Sequence, residues 1–173
     1  FTKYDAFGRV AYTGKAVDGR DRTDLQQDVD AVADDPNQKL WVEAGSFTNG
    51  NIDIGYGNTA YPINSVTEVL TVNYYDNYGF DRANEPTPPT MVFDENIDDR
   101  TQGLPTGGKV RVLDEMPVVW ITTVVRYDDK ARPIYTYSEN SYLGTTDITT
   151  SDLDFIGRTK KTRTEHRRGP NTI

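Results

Sequence analysis

Few side chains in this sequence could carry reactive chemistry, and their spacing narrows what that chemistry is. His166 is the only histidine and there is no cysteine, which excludes thiolate nucleophiles and disulfides. A Ser-His-Asp relay would have to run through His166, inside the basic tail "RTKKTRTEHRR" (158–168). Paired carboxylates of the glycosidase kind have candidates in Asp94, Glu95, Asp98, Asp99, Asp114 and Glu115. In a chain with 27 acidic residues against 19 Lys and Arg, such clusters read as solvated loops. "DNYGFD" (76–81) and "DENIDD" (94–99) are rich enough in oxygen for a surface calcium, yet neither has the spacing of an EF-hand loop. "GLPTGGK" (103–109) lacks the four-residue gap and the trailing Ser/Thr of a phosphate loop, and reads as a turn before a strand. The expectation is a non-enzyme, with no catalytic residue, metal or cofactor assigned.

One pattern does recur. Asp5, Asp76, Asp128 and Asp154 are each followed three residues later by Gly8, Gly79, Ala131 or Gly157. Tyr4, Tyr75, Tyr127 and Leu153 precede the aspartates, and Arg9, Phe80, Arg132 and Arg158 follow the glycine position. This is the chemistry of a hairpin corner. An aspartate opening a turn accepts hydrogen bonds from the backbone N–H groups that follow. The central residues of a type I turn are free to vary, and a glycine in the left-handed region closes the bulge. Ala131 breaks the rule, so its corner is either strained or built differently. Tyr before the Asp and Arg after the Gly would be neighbours across the hairpin, where stacking would add cross-strand stability.

Repeated corners need strands to join. Thr23 is the expected cap of one helix, with Gln26 completing a capping box. Leu25, Val29 and Val32 form its apolar stripe, and Asp35 before Pro36 ends it. Otherwise the chain reads as strands and turns: a hairpin over 1–14, a β-leaning stretch at 39–47, and strands at 65–75, 108–114, 118–127 and 132–139. A last hairpin spans 153–166, and a Pro-rich excursion over 81–90 cannot lie inside a sheet. In 118–127, apolar residues at both alternations predict a central strand covered on both sides. The fold class expected is mainly β, built of antiparallel hairpins with one short helix, as a single domain over 1–173.

Composition agrees. Hydrophobic residues make up 35% and charged residues 27%, and tyrosine leads the aromatics with 11 copies, which suits strands around a thin core. The net charge of −8 argues against general nucleic-acid binding. Residues 158–168 carry +5 of local charge, leaving −13 elsewhere; this stretch reads as a solvated edge strand whose cations discourage edge pairing, or as an anion-binding tail. No run approaches the roughly 18 apolar residues of a membrane helix. The chain opens mid-pattern at "FTKYD", which reads as a piece of a longer protein.

With these motifs the chain resembles the YD repeats of Rhs-type proteins, centred on Tyr-Asp-x-x-Gly-Arg. Tyr4-Asp5-Ala6-Phe7-Gly8-Arg9 matches fully; the second copy loses the Arg, the third the Gly and the fourth the Tyr. "GYGNTAYP" (55–62), "VLTVNYYDNYGF" (69–80), "GLPTGGKVRVLD" (103–114), "TTVVRYDDKARPIYTYSEN" (122–140) and "DFIGRT" (154–159) follow in an order similar to that of Rhs/YD-repeat surface proteins of Bacteroidetes. The resemblance implies a cell-surface or secreted chain whose hairpins form part of a β-sheet shell, in some members around a toxin. The partner implied is the rest of the parent chain. The alternative is a carbohydrate-binding module, with Trp41, Tyr56, Tyr61 and Tyr78, and also Tyr74 and Tyr142, as candidate contacts to cell-surface glycans.

Overall fold

The computed structural model describes residues 1–169 and the strand Asn171–Thr172. It is mainly β with one helix. The chain divides into two compact units, Phe1–Val72 and Asn73–Ile173.

In the first unit, β1 (Thr2–Tyr4) and β2 (Val10–Ala16) form the opening hairpin, and β2 also pairs antiparallel with the start of β5 (Val66–Asp76). A two-residue hairpin, β3 (Thr48–Asn49) with β4 (Ile52–Asp53), stands apart from this sheet. The stretch 39–47, expected to be β-leaning, forms only isolated bridges, Asp5 to Val42 and Ala44 to Tyr56. Ala11, Tyr12, Val42, Ile54, Ala60, Val69 and Val72 make the core.

The helix α1 (Arg22–Asp34) starts earlier than its sequence suggests. Asp21, not Thr23, is the cap, and its carboxylate accepts from the N–H groups of Thr23 and Asp24. Asp35 ends the helix in an extended conformation before Pro36, as the proline requires. None of its residues is buried.

In the second unit, β8 (Thr101–Arg111), β9 (Trp120–Tyr127), β10 (Pro133–Asn140), β11 (Thr145–Leu153) and β12 (Thr159–Arg168) follow one another as an antiparallel meander, closed by β13 (Asn171–Thr172). Thus 103–109 is strand rather than turn. Gly107 lies within it because the Phe80 ring sits where a side chain would: an added Cβ would come within 2.4 Å of Phe80 Cζ and 2.6 Å of the Thr123 carbonyl.

The segment 77–99 crosses one face of this meander and carries the short hairpin β6 (Met91–Val92) and β7 (Glu95–Asn96). One face of the central strand β9, with Trp120, Thr122, Val124 and Arg126, is buried. On the other face Tyr127 is buried as well and Ile121, Thr123 and Val125 are half-buried, so the cover expected on both sides is fuller on one. The core cluster gathers Val92, Val124, Ile134, Tyr135, Tyr137 and Leu153, with Tyr78, Phe80, Ile97 and Ile148 packed on it.

Candidate functional site

Three of the four motif copies build the same object. At Asp5, Asp128 and Asp154, the aspartate N–H donates to the carbonyl of the residue four ahead, at 2.8–3.0 Å, and its carbonyl accepts from the N–H three ahead, at 3.0–3.1 Å. Its Oδ1 accepts from the N–H groups two and four ahead: Phe7 and Arg9, Lys130 and Arg132, Ile156 and Arg158. Its Oδ2 takes the arginine Nε, at 2.7, 2.6 and 2.7 Å. Each is a type I turn closed by a left-handed residue, Gly8 at φ +75°, Ala131 at +59° and Gly157 at +87°. The strand register shifts beside each corner, as a bulge demands.

The arginine closes the corner by clamping the aspartate, not by stacking on the preceding tyrosine. Arg9 instead lies over Phe7, 5.0 Å from its ring centroid, and Tyr4 is 45% exposed. At the most deeply buried corner, desolvation pushes the Asp128 carboxyl up, but the Arg132 guanidinium and the Arg132 and Lys130 N–H groups hold it below the usual carboxylate range. Bonding to Arg158 holds Asp154 below it as well. Arg132 also donates to the Asp154 carbonyl at 2.7 Å, which ties the third corner to the fourth.

Asp76 and Gly79 do not form such a corner. The residue four after Asp76 is Phe80, so the arginine that closes the other three corners is missing at that position. Asp76 takes φ +72°, and its Oδ1 accepts from the Gly103 N–H at 2.7 Å while its carbonyl accepts from the Thr101 hydroxyl. The Gly79 N–H donates to Asn77. Here the chain leaves the sheet to begin the crossing segment.

That segment holds polar groups that no short motif announces. Arg126 on β9 and Glu85 have side chains 5% and 1% exposed, joined by two bonds of 2.9 Å. Tyr78 lies beneath the Arg126 guanidinium at 4.2 Å and donates its hydroxyl to the Val125 carbonyl. Glu139 on β10 accepts from Asn84, Tyr137 and Ser141. Lys109 on β8 reaches Asp81 and Thr122. In the first unit, Lys3 is buried with its Nζ bonded to Asn58 and to the carbonyls of Ala60 and Pro62, both at 2.7 Å, and burial pulls its pKa down to about 8. The first-unit ion pairs of Arg20 with Asp18 and Asp28 are exposed.

Each aromatic candidate is placed by its own neighbours. Tyr74 is buried and stacked on Phe80, with centroids 4.0 Å apart. Tyr78 is committed to Arg126 and β9, so it is not presented to a ligand. Tyr56 packs near Tyr12. Tyr61 lines two open cavities of about 530 Å³ beside α1, while Trp41 and Tyr142 are exposed. Glu95, Asp128 and Asp129 bring carboxylate oxygens within 4.8 Å of one another, but the first two are already paired with Arg132. His166 pairs with Asp147 at 2.6 Å. The tail cations face acids: Arg158 meets Asp154, Lys160 meets Asp152, and Arg167 meets Glu165.

Comparison with protein-family models, curated proteins and solved structures returns no match. Among the described residues, no helix is long and apolar enough to cross a membrane.

Proposed function

We propose that this chain is a non-catalytic structural segment of an Rhs/YD-repeat type protein at the cell surface or in the secreted fraction, contributing strands to a β-sheet shell. The observation that carries this reading is the threefold Asp–Arg clamped corner. The same turn recurs at Asp5, Asp128 and Asp154 with the same set of hydrogen bonds, and repetition of one corner favours a sheet that extends by adding hairpins. The partner on this reading is the remainder of the parent chain. Electron microscopy of the natural full-length protein tests it: the segment is expected within the wall of a hollow β structure. A segment standing outside the wall as a separate module would overturn the reading.

A second reading is a glycan-binding module, favoured by the exposure of Trp41 and Tyr142 at 38% and 54%. Stacking of sugar rings needs such open faces. Saturable, competable binding on a glycan array, lost in Trp41→Ala or Tyr142→Ala, would select it; a folded chain that binds no glycan would dismiss it.

A further inference from the structure

β12 is the outermost long strand of the second unit, and most of its outer edge carries no neighbour. β11 pairs along one edge, whereas β13 reaches only Arg167 and Arg168 on the other. Which backbone groups face the open edge follows from the register. Arg168 pairs with Asn171 in a hairpin tight enough to close on a hydrogen-bonded pair, so its N–H and C=O turn toward β13. Backbone groups alternate between the two edges of a strand, so those of Thr164 and Thr162 turn the same way. Arg163 between them agrees, because its carbonyl accepts from the Thr150 hydroxyl on the β11 side. Among the described residues, no strand pairs with Thr162 or Thr164 at that edge, and residues 159–164 are exposed throughout. The side chains beside the edge are cationic. Lys160 is matched by Asp152 and Arg167 by Glu165, but no ion pair holds Lys161 or Arg163 among the described residues. These two stand two positions apart and project from one face of the strand, with Thr162 and Thr164 on the other.

We propose that the open edge of β12 binds an extended acidic segment of another protein by strand addition, antiparallel to β12, with acidic side chains at alternate positions opposite Lys161 and Arg163. Main-chain hydrogen bonds to an exposed edge supply the affinity of such a complex, and the alternate side chains supply its selectivity. Opposite charges facing one another across strands stabilise the pairing, and like charges oppose it. A second copy of β12 is therefore a poor occupant, since it would set cations against cations. The charges that keep like edges apart thus become the means of choosing a partner. The +5 of residues 158–168 stands in an otherwise acidic chain, so an acidic segment is drawn to this edge rather than to the rest of the surface. β-branched residues suit the intervening positions, beside Thr162 and Thr164. The site does not depend on the shell reading or on Trp41 and Tyr142.

The test is titration of the isotope-labelled chain with a short peptide alternating threonine and glutamate, beside the same peptide with lysine in place of glutamate. The glutamate peptide is expected to slow hydrogen exchange at the Thr162 and Thr164 amides by about tenfold or more. The Arg163 and Glu165 amides, already turned to β11, are expected to stay as they were, and the lysine peptide to change none of the four. Lys161→Glu combined with Arg163→Glu, both exposed, is expected to keep the fold and to weaken binding about tenfold or more. Thr164→Pro, which removes an N–H that only an added strand would use, is expected to weaken it likewise. Equal response to the two peptides would overturn the proposal. So would binding that leaves the Thr162 and Thr164 amides unprotected, no binding at millimolar peptide, or undiminished binding in the double glutamate variant.

Discussion

Ala131 and Gly157 occupy the same position of the same corner, both left-handed, but only glycine does so without steric cost. An L-residue in this region is strained by roughly 1–2 kcal/mol, part of which the greater unfolded-state freedom of glycine offsets. Ala131→Gly is therefore expected to stabilise the protein by about 0.5–1 kcal/mol in chemical denaturation. An unchanged or lower stability would show that the strain is relieved elsewhere. The four copies also show what the corner follows. The Asp128 copy lacks glycine but keeps Arg132 and folds as a corner; the Asp76 copy keeps Gly79, lacks the arginine and does not. Aspartate clamped by arginine four residues on is the shared determinant.

At the scale of elements, the crossing segment is fixed by ionic groups that pass from solvent to the sheet face. Removing one partner of a buried pair leaves the other charge without compensation, a loss of about 3–5 kcal/mol. Glu85→Ala, which strands Arg126, is expected to fall in that range by urea unfolding. Arg82 also pairs with Glu85, at 2.7 Å, but its side chain is 39% exposed, so Arg82→Ala is expected to cost less than about 1 kcal/mol. Equal effects would mean that the buried pair does not hold the segment. The helix behaves oppositely. A 13-residue helix with no buried residue is marginal by propensity alone, so loss of its cap in Asp21→Ala, about 1 kcal/mol of helix stability, is expected to speed hydrogen exchange across 22–34 with little change in melting temperature. A large fall in melting temperature would show that α1 is integral to the first unit.

Across the whole molecule, what could be read from the sequence was what is local. The corners at Asp5, Asp128 and Asp154, the β class and the helix terminator at Asp35–Pro36 each depend on residues within a few positions of one another. The buried groups were not legible, because Glu85 lies 41 residues from Arg126 and Asn84 lies 55 from Glu139, and each reads alone as an ordinary surface residue. The same distance effect hid Phe80 over Gly107, so glycines that suit a turn proved to belong to a strand. Tyr78 read as an exposed aromatic for the same reason: its partner, Arg126, is remote in sequence.

Whether the clamped corner holds the fold is decided by equilibrium urea unfolding of Asp128→Ala beside the wild type. Asp128 is the most buried copy, and its loss removes bonds to two backbone N–H groups and to Arg132 at once. Because its folded carboxyl titrates below its unfolded value of about 3.9, the stability it contributes is full above that pH and is lost as pH falls through the folded value. The variant is expected to be less stable at pH 7 by about 1–3 kcal/mol, with the gap narrowing once the wild-type carboxyl is protonated. Indistinguishable unfolding curves at pH 7 would mean that the clamped corner contributes nothing to stability.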